Sequence, residues 1–223
     1  TGGIIDPPPE YLRILREVCD RHGVLLIFDE IITGVGRTGH LFAAETFGVV
    51  PDVLCTAKGL SGGYAPLSAM ITTRTIANTF WGPVSENPGF VEGHTFEGNP
   101  ISCAAGLAVL QEIVERDLCG NARARGAELR AGLERLADKY GIIGDIRGKG
   151  LLQGVEWVQD RGSKRPFPTE HNWGVRVGRQ CLANGLLCRF DPHWLAFGPP
   201  LTTTAEQLAE MLALLDRSIG ECL

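Results

Sequence analysis

Two short apolar runs, each followed by a reactive side chain, dominate the first quarter of the chain. Residues 24–28 form a continuous apolar run that stops at Asp29, the pattern of a strand buried on both faces of a parallel sheet. Residues 52–55 are predicted to form a second strand, and Lys58 follows it among small residues that leave room for a bulky group. Because ligands gather at the carboxyl ends of strands in open α/β sheets, Asp29 is predicted to lie at a ligand crevice.

The remaining pattern alternates helices and strands, which is typical of an α/β protein. Asn99 and Pro100 are an N-cap and a first helical residue, and Thr204 with Gln207 forms a capping box. We expect the first half to hold a mainly parallel sheet and the tail to be a small α+β domain. Helices are predicted after residues 7–9 and over 73–81, 99–116, 121–140 and the segment after 204, and strands over 67–72, 151–157, 186–188 and 195–197.

Composition excludes several classes of protein. The 223 residues carry a net charge of −5 and 44% hydrophobic residues, which suits one large or two small globular units. No run of eighteen apolar residues and no secretory signal is visible in these residues, and the acidic balance argues against nucleic acid. Seven cysteines without paired spacing indicate reduced thiols in the cytoplasm and no metal site. We therefore expect neither nucleic acid nor a membrane as a partner.

Lys58 and Asp29 together suit one chemistry. A lysine amine has an unperturbed pKa of about 10.4, so Schiff-base chemistry needs burial or a ligand that favours its neutral form. An aldehyde cofactor with a protonatable ring would use both residues, Lys58 for the imine and Asp29 to keep the ring nitrogen protonated. For Asp29 taken alone, capping of the following glycine-rich loop is the simpler interpretation.

Three ordered motifs carry a family resemblance. DEIITGVGRTG (29–39), AKGLSGGYAPLSA (57–69) and GHTFEGNP (93–100) are together similar to those of class III pyridoxal-phosphate aminotransferases of fold type I. The similarity continues through RGKGLLQGVE, GLLCR and FGPPL. It implies that residues 1–117 are the carboxyl-terminal part of the cofactor-binding large domain and 118–223 the small domain. The chain resembles a carboxyl-terminal half, and the other half would supply the phosphate loop and the aromatic residue stacked on the cofactor.

The resemblance also implies roles for single residues. Lys58 would bind pyridoxal 5'-phosphate as a Schiff base, with Asp29 on its ring nitrogen. Ile31 would pack against a face of the ring, although an ordinary core isoleucine fits the sequence equally well. Thr95 would reach across a homodimer interface to the phosphate held by the partner subunit; the alternative is a hydroxyl that caps a loop.

Arg189 and Ala196 bear on the substrate. Family members with a fixed carboxylate clamp have an arginine at the position of Ala196 and a glutamate at that of Thr1, so this chain departs from the ornithine and 4-aminobutyrate enzymes. Arg189 instead matches the mobile arginine of ω-amine:pyruvate enzymes, which binds the carboxylate of a keto acid. A surface arginine without a substrate is the alternative.

The predicted function is therefore transamination of an amine or ω-amino compound to a keto acid such as pyruvate, through a Lys58 Schiff base. Within the family, a decarboxylase, an epimerase or an aminomutase would keep the same lysine and aspartate. From other classes, the alternatives are a non-catalytic fragment that folds or dimerises, and an unrelated lysine aldolase on a barrel. The aldolase reading gives Asp29 no role.

Overall fold

The chain folds into two compact units in a computed structural model that describes residues 2–86 and 89–223. One, the C-terminal unit, comprises the described residues up to Pro7, Gly36–Gly39 and Asp117–Leu223. The other, the lysine unit, comprises Pro8–Val35 and His40–Arg116. Each unit combines helices with a sheet, so the predicted α/β class is confirmed.

The lysine unit is built on a three-stranded sheet in the order β1-β2-β3. The first pair is parallel and the second antiparallel, so the sheet is mixed, and the predicted mainly parallel sheet is found only in the β1–β2 pair of the described residues. Short 3-10 turns follow at Lys58–Ser61 and Val84–Glu86. The helices and strands are α1 (Tyr11–His22), β1 (Ile27–Asp29), α2 (Ala43–Phe47), β2 (Val53–Thr56), β3 (Ala69–Thr72), α3 (Arg74–Asn78) and α4 (Pro100–Glu115).

The prediction that the strand before Asp29 is buried on both faces is wrong. Leu26 is buried, but Ile27 in β1 exposes 59% of its surface, and Val24 and Leu25 are also exposed. The reason is that β1 has one strand neighbour, β2, within the described residues. The prediction of a strand in this apolar run is confirmed. How far its faces are buried depends on the number of neighbouring strands, which the run itself does not show.

A carboxylate joins the starts of β1 and β2. Asp52 Oδ2 accepts hydrogen bonds from the Leu26 N–H at 2.7 Å and from Arg16 Nη1 at 2.8 Å. The Leu26 amide and then the Arg16 guanidinium lower the pKa of Asp52 below its usual value. Because the charged carboxylate is stabilised by donors from α1 and from the residue before β1, Asp52 fixes the register of the parallel pair.

The C-terminal unit holds an antiparallel sheet in the order β4-β5-β8-β7, with β6 paired to β5. The predicted strand over 186–188 is wrong, because the Leu186 N–H bonds to Cys181 O at 2.8 Å and ends the preceding helix. Neither β4 nor α6 was predicted. The elements are α5 (Leu118–Tyr140), β4 (Ile143–Lys149), β5 (Leu152–Asp160), β6 (Arg165–Pro166), α6 (Trp173–Ala183), β7 (Arg189–Asp191), β8 (Trp194–Phe197) and α7 (Ala205–Gly220).

One apolar core lies between this sheet and helices α5, α6 and α7. The predicted capping box is present, since Thr204 Oγ1 accepts from the Gln207 N–H at 3.2 Å and Gln207 Oε1 from the Thr204 N–H at 3.0 Å. It starts α7 so that its apolar stripe meets the core. The fully buried members of the core include Leu129, Leu133, Trp157, Val177, Cys181, Leu195, Leu215 and Ile219.

Candidate active site

Parallel pairing brings Asp29 and Lys58 to the same edge of the sheet. Asp29 is the register partner of Cys55, and the next N–H, of Glu30, donates to Cys55 O at 2.8 Å. Lys58 begins a 3-10 turn just after β2 ends. Because carboxyl ends of parallel strands meet at one edge, both side chains lie there, and both are exposed.

The backbone at Lys58 is strained. Its φ of 46° lies in the left-handed region, which residues other than glycine rarely adopt. Val35 has a φ of 57° and is buried, and its β-branched side chain makes that conformation costlier still. A Cβ on Gly59 would lie 3.5 Å from Val35 Cβ, so the two strained residues are near neighbours. Such strain persists only where the surrounding packing enforces it.

Helix α4 packs on the turn that begins with Lys58 and supports it. Gly106 allows this approach, because a Cβ there would lie 3.4 Å from Leu60 O and would overlap the side chain of Leu67. Leu60 and Ser61 are buried, and Ser61 Oγ donates to Ala65 O. The predicted N-cap of α4 is also present, with Asn99 Oδ1 accepting from the Ile101 N–H at 3.0 Å. Lys58 therefore precedes a well-packed and hydrogen-bonded segment.

Glu30 secures the loop that follows Asp29 through hydrogen-bonding partners that the sequence did not identify. The residue is 2% exposed. Its carboxylate accepts from the N–H groups of Ala43 at 2.6 Å and Ala44 at 2.7 Å, and from Thr33 Oγ1 at 3.2 Å. These bonds satisfy the first free amides of α2. The sequence contains one sign of this role, which is a second acidic residue directly after Asp29. If such a carboxylate is buried, it needs several hydrogen-bond donors.

Asp29 keeps one oxygen available. Its Oδ1 accepts from the Ile31 N–H at 3.0 Å, which orients the carboxylate through the residue predicted to pack on a cofactor. Within residues 2–86 and 89–223, Oδ2 of Asp29 and Nζ of Lys58 have no hydrogen-bonding partner. Ile31 itself is half-buried. The edge of the sheet thus offers one oriented acceptor and one free amine.

Thr95 lies in the turn before α4 and is exposed. The Glu97 N–H closes this turn on His94 O at 3.0 Å. Neither the hydroxyl nor the N–H of Thr95 is hydrogen-bonded in the described part of the chain, and no described contact joins it to Asp29 or Lys58. Both donors of Thr95 are therefore available to a ligand.

Arg189 belongs to the C-terminal unit, whereas Lys58 belongs to the lysine unit. It lies directly across from Ala196 in the β7–β8 pair, and its guanidinium carbon is 5.8 Å from the centre of the Trp194 ring. Arg189 and Ala196 line a cavity of about 650 Å³ together with residues 197–200. Thr1, the other clamp position, lies outside the described residues. The small Ala196 side chain leaves the space opposite Arg189 open.

A family profile for Aminotransferase class-III matches residues 1–219. The chain belongs to the class III aminotransferases. It is 39% identical over 223 residues to the acetylornithine aminotransferase of Vibrio parahaemolyticus and 38% identical over 219 residues to the adenosylmethionine-8-amino-7-oxononanoate aminotransferase of Geobacter sulfurreducens. These alignments cover 98% of the chain and 50% and 48% of the relatives.

A solved amine transaminase from an uncultivated Pseudomonas species, in its PLP-bound form, superposes with a TM-score of 0.92 at 38% identity. The match covers 100% of this chain and 50% of that one. This class III aminotransferase chain therefore has the fold of PLP transaminases and spans about half the length of the curated relatives it matches. The resemblance stated from the motifs is confirmed.

Class III aminotransferases use pyridoxal phosphate, and the free groups of this chain fit that cofactor. The ring nitrogen of the cofactor needs a hydrogen-bond acceptor, and its carbonyl needs an amine. Its phosphate needs hydrogen-bond donors. Asp29 Oδ2, Lys58 Nζ and the two donors of Thr95 supply those kinds of group. Among the described residues there is no cluster of side chains that could hold a metal ion and no helix long and apolar enough to cross a membrane.

Proposed function

We propose that the protein is an aminotransferase that moves the amino group of an amine or ω-amino compound to a keto acid such as pyruvate. The observation that carries the proposal is the parallel pairing of β1 with β2, which sets Asp29 and Lys58 at one edge of the sheet. The family supports the reaction type. The substrates are inferred from Arg189 and Ala196.

Lys58 is the residue to which pyridoxal phosphate attaches through a Schiff base, and it also acts as the acid and base. When bound, the cofactor supplies an electron sink for the charge that develops on the substrate carbon. With the cofactor bound, the free Lys58 Nζ would take a proton from the substrate carbon that carries the amino group and would give it to the carbonyl carbon of the cofactor. Asp29 Oδ2 would accept the ring N–H of the cofactor and keep that nitrogen protonated. Ile31 orients the carboxylate through its N–H and would pack against the ring.

Thr95 serves a neighbouring subunit of a homodimer. Its hydroxyl and N–H would donate to the phosphate bound by the partner, and both donors lack a hydrogen-bonding partner among the described residues. Large apolar side chains exposed in the same unit support the proposal of an interface. They are Tyr64 (88% exposed), Trp81 (80%), Phe90 (53%), Val91 (97%) and Phe96 (80%).

Arg189 binds the carboxylate of the keto acid. A guanidinium pairs with a carboxylate through two parallel hydrogen bonds. Since Ala196 lies across from Arg189 and is small, the arginine has room to turn aside when the substrate is an amine without a carboxylate. A fixed arginine at position 196 would leave no such freedom.

The proposal extends to organisation and location. Residues 1–117 form the carboxyl-terminal part of the PLP-binding large domain, and 118–223 form the small domain. We place the enzyme in the cytoplasm because its seven cysteines are free thiols, the state kept by a reducing compartment.

The test is an amine panel. The protein is incubated with pyridoxal phosphate, pyruvate and either carboxylate-free primary amines or ω-amino acids, and alanine is quantified by chromatography. We expect alanine in amounts equal to the amine consumed. Release of carbon dioxide or inversion of the donor without alanine would assign another reaction of the family. Absence of any exchange across the panel would contradict the proposal.

A further inference from the structure

A short segment of the C-terminal unit is held by two side chains that are distant in sequence. This segment, here called the strap, comprises residues 198–203. Arg37 Nη1 donates to Pro199 O, and it lies 3.5 Å from Leu151 O. Asn121 Nδ2 donates to Leu201 O at 2.6 Å and to Thr203 O at 3.0 Å. Three carbonyls of the strap are therefore fixed by side chains.

The strap depends on these bonds. Pro199 and Pro200 have no N–H and cannot extend the sheet after β8. The strap's own backbone contributes one bond, from the Thr203 N–H to Pro200 O at 3.0 Å. Burial lowers the pKa of the Arg37 guanidinium, and a buried charge is costly unless it is well hydrogen-bonded. The cost of burying Arg37 is therefore offset by its hydrogen bonds, including the bond to the strap.

The strap is one wall of the cavity that contains Arg189. Gly198, Pro199 and Pro200 line that cavity together with Arg189 and Ala196. Arg189 lies across from Ala196, and the strap begins two residues beyond Ala196 at the end of β8. A displacement of the strap would therefore widen or narrow the space in which the guanidinium meets a ligand.

We propose that Arg37 and Asn121 are positioning residues that hold the strap as the wall of a carboxylate pocket at Arg189. This inference rests on the proposed function of Arg189. Its ligand class is a small carboxylate, such as a keto acid. Arg37 and Asn121 touch neither substrate nor cofactor and act through the strap. The second substrate, a carboxylate-free amine, does not need the Arg189 pair and is recognised without the pocket.

The test separates these two substrates. Arg37→Lys keeps a positive charge but loses the planar fork, and Asn121→Asp keeps the shape but faces carbonyls with an acceptor. In the holoenzyme, both variants should raise KM for pyruvate by about tenfold and leave KM for 1-phenylethylamine unchanged. The matched control is Tyr140→Phe, which removes a hydroxyl bonded to Asp216 elsewhere in the same unit and should change neither KM.

A binding measurement tests the positioning role of Arg37 and Asn121 independently of transamination. Calorimetry with propionate, a carboxylate that cannot react, should show Kd raised about tenfold by either variant and unchanged by Tyr140→Phe. Circular dichroism confirms that each variant is folded. If the wild type performs no transamination, the proposed function fails while propionate binding still decides this inference. Equal rises in KM for both substrates, or variants that bind propionate like the wild type, would overturn it.

Discussion

The two units treat their apolar side chains differently. In the C-terminal unit, Leu133, Trp157 and Leu215 are fully buried in one core. In the lysine unit, Ile27 exposes 59% and Trp81 80% of the residue surface, although that unit holds the proposed catalytic pair. Within the described residues, the C-terminal unit therefore has a closed apolar core, whereas the lysine unit leaves large apolar side chains exposed.

The lysine unit is also held together by two carboxylates that accept several N–H groups. Glu30 holds the amides of α2, and Asp52 joins the starts of two strands. Each such bond to a charged group contributes roughly 1.5–3 kcal/mol, about as much as burying one aliphatic side chain. We therefore expect the lysine unit to respond to loss of a carboxylate and the C-terminal unit to loss of apolar volume.

The largest effect is expected at Lys58. Lys58→Ala should lower transamination by about 10³-fold or more, because both the attachment point and the acid–base group are lost. It should leave the free energy of unfolding unchanged, since the side chain is exposed. Steady-state assays and urea titrations measure the two quantities.

Lys164→Ala is the matched control for that experiment. Lys164 is also exposed and also has a left-handed backbone, with a φ of 54°. It should retain full activity. If Lys58→Ala were as active as Lys164→Ala, the catalytic role proposed for Lys58 would be contradicted.

The next largest effect is expected from loss of apolar volume, and it should differ between the two units. Leu133→Ala should cost about 3 kcal/mol of unfolding free energy, through lost burial and the cavity left behind. The same substitution at Leu25, which is 55% exposed, should cost less than about 1 kcal/mol. Urea unfolding followed by circular dichroism measures both. Equal losses would show that the two units do not differ in the way described.

Loss of the Glu30 charge should have an intermediate effect. Glu30→Gln replaces one acceptor oxygen by an N–H₂ group that faces the Ala43 or Ala44 amide, so we expect a loss of about 2 kcal/mol. Hydrogen exchange of those two amides should accelerate, while exchange in α5 stays unchanged. Unaltered protection of Ala43 and Ala44 would contradict the role given to this carboxylate.

The smallest effect concerns pH. The donors around Asp52 depress its pKa below the usual 3.8, so its contribution to stability is complete above that value and is lost as pH falls through the lowered pKa. Asp52→Asn should cost about 1 kcal/mol at pH 7 and less at pH 3. Urea titrations at the two pH values check this, and a cost that grows on acidification would reverse the assigned sign.

Local chemistry made part of the fold predictable. The caps at Asn99 and Thr204 depend on residues within one turn, and both were predicted correctly. Helix α6 was missed because Gly174 and Gly178 argue against a helix. The structure needs glycine at 178, since a Cβ there would overlap Phe190. Tertiary packing thus overrode local propensity.

The candidate site also has a part that the sequence predicts and a part that only the fold shows. The motifs predicted Asp29 and Lys58, because strand ends and small neighbours are visible in the sequence. They did not predict what holds the site. Arg37 bonds to a carbonyl 162 residues away, and Glu30 to amides 13 and 14 residues away. Partners at such separations follow from the fold alone.

The most direct test of the catalytic pair is a mapping of the cofactor. The purified protein is incubated with pyridoxal phosphate, reduced with borohydride and digested, and the modified peptide is identified by mass spectrometry. We predict a single pyridoxyl adduct on Lys58, with occupancy that falls sharply in Asp29→Ala. An adduct on another lysine, or full occupancy of Lys58 without any dependence on Asp29, would contradict the assignment of this edge of the sheet as the active site.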